Sequence, residues 1–196
     1  SGTIPMEAAL LEARPIASDQ SPKCLEQTKK NMSWLASKWQ IDPLLPENIF
    51  LRDATDAKTA WPAFMHIATE GYLGPNWERP PAPAEIVNAQ KNIGDLYINF
   101  FSAVKSALKP NSRIVICFPV WGGDGRKIDL ESITPQIRNM GFALTPLVPA
   151  AIAVKLGRKG DIYSIRYERP NQFVNREILS WRLSTQKILP NKMSLL

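Results

Sequence analysis

The chain has 196 residues, 44% of them hydrophobic and 21% charged, enough for one domain with a sizeable core, and no apolar run approaches membrane-spanning length. Two cysteines without metal-type spacing, Cys24 and Cys117, and one histidine, His66, exclude a multi-histidine metal site and point to a reduced, cytoplasmic protein. The net charge of +6 is uneven: residues 1–150 carry 15 Lys and Arg against 15 Asp and Glu, whereas residues 151–196 carry 9 against 3. A basic segment of this kind suits either a polyanionic partner or a merely solubilising surface.

Ser1-Gly2-Thr3-Ile4-Pro5 leads straight into the helical run Met6–Leu11, and a Gly-Thr helix opening presents backbone N–H groups to an anion. Pro15–Ser18 reads as a short strand ending at Asp19. Ser21-Pro22 then opens a helix over 23–39 with Leu25, Thr28, Met32 and Leu35 on its buried face. An acid at the carboxyl end of such a strand can accept both hydroxyls of a ribose. Asn48–Leu51 is the next strand and runs into Arg52-Asp53-Ala54, where a second acid can receive an amino group such as that of adenine.

His66-Ile67-Ala68 ends a third strand, followed at once by Thr69-Glu70-Gly71-Tyr72-Leu73-Gly74-Pro75 and a proline-laden loop to Pro83. A carboxylate there stands where an open α/β sheet places its chemistry. Ala84–Leu108 is expected as a long helix with Ile93, Tyr97, Phe100 and Val104 in its stripe, weakened locally at Gly94. Arg113–Phe118 is expected as a central strand and 130–140 as a helix stopped by Gly141. Phe142–Val148 carries Pro146 and is placed near an edge. Gly157-Arg158-Lys159-Gly160 is a turn, Ile162–Tyr167 alternates as a last strand, and Arg169, Arg176 and Arg182 continue into a helix with Trp181. The alternation predicts an open α/β sheet, mostly parallel with an antiparallel edge strand, in a single domain over 1–196.

Taken in order, these residues resemble a family. Ser1–Ala9 is similar to the second half of the glycine-rich cofactor loop of class I S-adenosylmethionine-dependent methyltransferases. It resembles in particular the THUMP-associated tRNA guanosine-N2 methyltransferases, and 167–174 resembles a stretch near the end of that domain. The resemblance implies a Rossmann-like domain with S-adenosylmethionine as cofactor, bound by Ser1, Gly2, Thr3, Asp19, Gln20, Asp53 and Ala54. It implies a catalytic motif at Glu70, Gly71, Tyr72 and Leu73, in which the Glu70 carboxylate and the Gly71 carbonyl hold an exocyclic amine of a base. Tyr72 or Trp77 would stack on that base. The first half of the loop and its preceding strand are missing, so the chain is expected to be truncated at its N-terminus, with a THUMP module upstream if one exists. The motif also departs from the family's Asp-Pro-Pro-Tyr-Gly at all but its glycine. The implied partner is nucleic acid, tRNA foremost, held by the basic 155–192 segment, with no membrane partner. A DNA amino-methyltransferase and a catalytically silent RNA- or partner-binding domain remain as alternatives, and a nicotinamide-dependent dehydrogenase is more distant.

Overall fold

The computed structural model describes residues 1–41, 46–121, 132–155, 162–170 and 172–184. The chain forms two compact units, Ser1–Thr59 and Ala60–Leu196. In the first, α1 (Thr3–Leu10), β1 (Ala17–Asp19), α2 (Pro22–Trp39) and β2 (Ile49–Leu51) follow one another. Ser21 Oγ accepts from Cys24 N at 3.4 Å and Pro22 occupies the first helical turn of α2, so the helix starts where its cap requires. Its buried residues are Leu25, Thr28, Met32 and Leu35, the four that the periodicity selects. Leu25 and Met32 form a small core with Ile49, onto which Met6, Ala9 and Ala17 pack. β1 and β2 are parallel with Asp19 opposite Leu51, so Asp19 and Asp53 lie at the same end of the pair.

The second unit contains β3 (Phe64–Thr69), α3 (Pro83–Val104), β4 (Leu108–Trp121), α4 (Thr134–Asn139), β5 (Phe142–Thr145), α5 (Ala150–Lys155), β6 (Ser164–Tyr167) and β7 (Val174–Leu183). Its five-stranded sheet has the order β3-β4-β7-β5, with β6 also beside β7. β3 and β4 are parallel, whereas β7 runs antiparallel to β4, β5 and β6, so every strand but β7 points the same way. This is the expected α/β sheet, but the reversed strand lies inside it, and β5 takes the edge foreseen from Pro146. One face of the sheet supplies Ile114, Ile116, Phe118, Leu179 and Trp181 to a core completed by Ile93, Tyr97, Phe101 and Val104 of α3, Ile137 of α4 and Phe142 of β5.

Two expectations are corrected. Residues 174–183 form a strand, not a helix: Asn175, Leu179 and Trp181 are buried in a period of two that the interspersed charges obscured. Leu108 opens β4 instead of closing α3, and β4 passes through Pro110 by way of Asn111 at φ 67°. Gly94 leaves α3 uninterrupted. The Gly157–Gly160 turn, with Arg158 and Lys159, and residues 122–131, 187 and 192 lie outside the described residues.

Candidate functional site

Glu70 follows the last residue of β3 and is half exposed, its side chain retaining 52% of its accessible surface. Arg176 of β7 donates from Nε to Glu70 Oε1 at 2.5 Å and is itself only 25% exposed. The pair joins the end of β3 to a strand separated from it by β4, so the sheet aims the guanidinium. Among the described residues Oε2 of Glu70 accepts no hydrogen bond.

The loop after Glu70 is pinned from two sides. Tyr97 of α3, fully buried, donates its hydroxyl to the Cys117 carbonyl at 2.7 Å, with the Tyr72 carbonyl at 3.4 Å. Trp121, the buried last residue of β4, donates from Nε1 to the Leu73 carbonyl at 2.9 Å, and Trp77 stands edge-on to it at 5.5 Å between centroids. These anchors explain two glycines. Gly71 has φ 72° and a Cβ there would lie 2.6 Å from the Tyr97 hydroxyl; Gly74 has φ 103° and a Cβ there would lie 2.7 Å from Trp121 Cζ2. Both positions combine a left-handed backbone with no room for a side chain. Gly71→Ala is therefore expected to cost about 2–4 kcal/mol, from backbone strain and overpacking together. Denaturant unfolding checks it, and adding Tyr97→Phe, which deletes the obstructing oxygen, recovers part of the loss in a double-mutant cycle.

Farther along the loop, Arg79 grips Glu85 with both terminal nitrogens at 2.8 Å, and Glu85 Oε2 also accepts from Ala82 N at 2.7 Å. Arg79 holds the Glu85 carboxyl below its usual range, with the Ala82 N–H adding to the effect. This fixes the start of α3 and thereby Tyr97.

Sequence reasoning missed Tyr97 as an anchor, and also Arg176, Trp121 and Cys117 as site residues. Burial, then the Glu70 carboxylate, push the Cys117 thiol up, against a lowering by Arg176, so the thiol stays protonated near neutrality. Burial first, then Cys117 and Glu70, also raise the Tyr97 phenol, which remains a neutral donor. Tyr72 is exposed, whereas Leu73 is half-buried.

In the first unit, Asp19 Oδ1 accepts from Ser21 N at 2.8 Å, and Asp53 Oδ1 accepts from both N and Oγ1 of Thr55 at 2.8 and 2.7 Å. The Thr55 backbone bond, then its hydroxyl, hold the Asp53 carboxyl below its ordinary value. Among the described residues Oδ2 of each acid accepts no hydrogen bond, which leaves acceptors of the kind that hydroxyl and amine donors need. Gln20 and Ala54 are exposed beside them. Ser1 donates from Oγ to Gln27 Oε1 at 3.2 Å, its carbonyl accepts from Asn31 Nδ2 at 2.7 Å, and Gly2 and Thr3 begin α1. The glycine-containing turn is thus tied to the middle of α2. Among the described residues no group of three or more His, Cys, Asp or Glu could hold a metal ion, and no helix is long and apolar enough to cross a membrane.

No family model and no curated protein matches the sequence. Solved structures do match. TrmN from Thermus thermophilus is 15% identical with a TM-score of 0.57, over 93% of this chain and 41% of that one. NSun6 from Pyrococcus horikoshii, solved with SFG, is 14% identical with a TM-score of 0.61, over 92% of this chain and 44% of that one. An S-adenosylmethionine-dependent methyltransferase from Clostridium acetobutylicum is 9% identical with a TM-score of 0.51, over 91% of this chain and 78% of that one. The chain thus spans about two fifths of the length of the first two. Its fold is the Rossmann-like α/β fold of class I methyltransferases.

Proposed function

We propose that this chain, with its class I methyltransferase fold, transfers a methyl group from S-adenosylmethionine to an exocyclic amine of a nucleic-acid base, most specifically guanosine in tRNA. The observation that carries the reading is Glu70: a carboxylate at the carboxyl end of β3, with one oxygen fixed by Arg176 and the other open, beside a glycine and an exposed tyrosine. Glu70 Oε2 and the Gly71 carbonyl accept the two N–H groups of the amine and so turn its lone pair away from them. Tyr72 offers a face on which the base stacks.

When bound, S-adenosylmethionine supplies a methyl carbon attached to a sulfonium. Asp19 would receive the ribose hydroxyls and Asp53 the adenine amine, both as acceptors. As the amine took up that methyl group and the sulfonium left as a neutral thioether, Glu70 would stabilise the positive charge developing on nitrogen before a proton left to solvent. Positioning and charge complementarity account for the rate; no strong base is required. The neighbours solved as TrmN and NSun6 and the basic segment over 155–192 support a nucleic-acid substrate. In that segment Arg166, Arg169 and Arg182 are exposed.

The test is transfer of labelled methyl from S-adenosylmethionine to tRNA and to duplex DNA, with digestion to nucleosides. Label in N2-methylguanosine is the expected result. Label in DNA alone would make this a DNA amino-methyltransferase, and cofactor binding with no transfer would make it a silent domain. Asp19→Ala is expected to weaken cofactor binding roughly 10–100-fold in calorimetry, the worth of hydrogen bonds to a charged acceptor.

A further inference from the structure

Away from the Glu70–Arg176 pair, the same face of the sheet carries a histidine and two arginines in one row. In the strand register His66 of β3 lies opposite Arg113 of β4, and Arg113 lies opposite Arg182 of β7. All three side chains are exposed, and none makes a hydrogen bond or ion pair among the described residues. Directly opposed like charges destabilise a sheet, so an uncompensated Arg–Arg pair is a feature that folding alone disfavours. The next row toward Glu70 contains Ala68, Val115, Ser180 and Thr145, with no charge among them. There the Ser180 and Thr145 hydroxyls are spent on each other at 2.7 Å. Among the described residues the first carboxylate met along this face is that of Glu70, which Arg176 already engages.

Arg176 and Arg182 fall on the same face of β7 because the strand period is two. The row therefore stands about 13 Å from Glu70 along β3, and about 20 Å from Arg176 along β7. Two guanidinium forks side by side suit the non-bridging oxygens of phosphodiesters, which they contact bidentately, and the imidazole of His66 adds a ring N–H donor.

We propose that His66, Arg113 and Arg182 form a phosphate-binding row for the backbone of the nucleic acid whose base enters at Glu70. The row rests on the nucleic-acid reading above and extends it to residues of β3 and β4, outside the basic segment. It fixes where the chain of the substrate runs: across the sheet face, toward the amino ends of β3 and β4.

The experiment is a salt titration of binding to a fluorescein-labelled oligouridylate, followed by anisotropy, for the wild-type protein, Arg113→Gln/Arg182→Gln and Arg113→Lys/Arg182→Lys. Each neutralised phosphate contributes about 0.7 to the log–log salt slope on a single strand, so the Gln pair should flatten it by about 1.4. The Lys pair, which keeps the charge, should retain most of the slope, and S-adenosylmethionine affinity should be equal in all three proteins. Because the Gln pair removes a repulsion, its melting temperature should not fall below that of the wild type. A wild-type slope that persists in the Gln pair overturns the row and leaves the nucleic-acid reading standing. Failure of the wild type to bind the oligonucleotide at low salt overturns both. If inorganic phosphate alone, at low concentration, displaces the oligonucleotide from the wild type but not from the Gln pair, the row is a site for the free anion and the backbone assignment falls.

Discussion

Glu70→Gln should lower methyl transfer by about 10²–10³-fold while leaving the affinity for S-adenosylmethionine unchanged, the scale on which removal of one preorganised polar partner is felt. The geometry gives the reason. Arg176 donates to Oε1 at 2.5 Å, and glutamine keeps an acceptor there, so the side chain retains its anchor and orientation. What changes is the other arm, where an NH2 donor would replace the acceptor that the proposed mechanism offers to the N–H of a substrate amine. The variant would also lose the negative charge that, on that mechanism, stands opposite the nitrogen as it becomes positive. A fall in kcat with little change in KM is the expected signature. A wild-type rate in Glu70→Gln would place the amine acceptor at another residue.

Trp121→Ala should destabilise the second unit by about 3–5 kcal/mol, the usual cost of truncating a buried aromatic. Trp121 is fully buried, packs against Gly74 and Trp77, and holds the Leu73 carbonyl. Truncation opens a cavity and leaves that carbonyl without its donor. Trp121→Phe separates the two effects: most of the ring volume remains and the hydrogen bond is lost, for about 0.5–1.5 kcal/mol. Chemical denaturation gives both values, and tryptophan fluorescence reports on Trp77, whose edge-on neighbour has gone. If the phenylalanine variant kept full stability but lost activity, the indole N–H would be acting on the loop conformation alone.

Much of this was legible in the chain because local chemistry determined it. Ser21-Pro22 opens α2, and the spacing of Leu25, Thr28, Met32 and Leu35 marks its buried face, both within one helix. Glu70 could be located because β3 ends where glycine and proline prevent its continuation. Asp19 closes one short strand and Asp53 follows another, and the two strands pair in parallel, so the acids share an end. Arg176 could not be read in this way: it meets Glu70 across a sequence separation of 106, and only the insertion of β7 beside β4 brings it there. The same insertion was hidden because Arg176, Glu177 and Arg182 give 174–183 the look of a charged helical face, whereas Trp181 and Leu179 alternate into the core. Tyr97 was visible as a core residue, but its hydroxyl contact with the Cys117 carbonyl is a tertiary fact with no sequence signature.

The interior position of β7 also sets an order of events during synthesis. β4, β5 and β6 all take their antiparallel partner from β7, and β5 and β6 pair with no other strand among the described residues. When Trp121 leaves the ribosome, Val174 is about fifty residues behind, or roughly 3–10 s at ordinary elongation rates. Through that interval one edge of β4 is unpaired, and the face that will receive Trp181 and Leu179 is open to water. β3, α3 and β4 can assemble first, since they are close in sequence, but the rest of the sheet waits for the last described strand. That delay makes the nascent chain a natural client for a holdase, and a codon or temperature change that lengthens it should lower soluble yield without altering the stability of the finished protein.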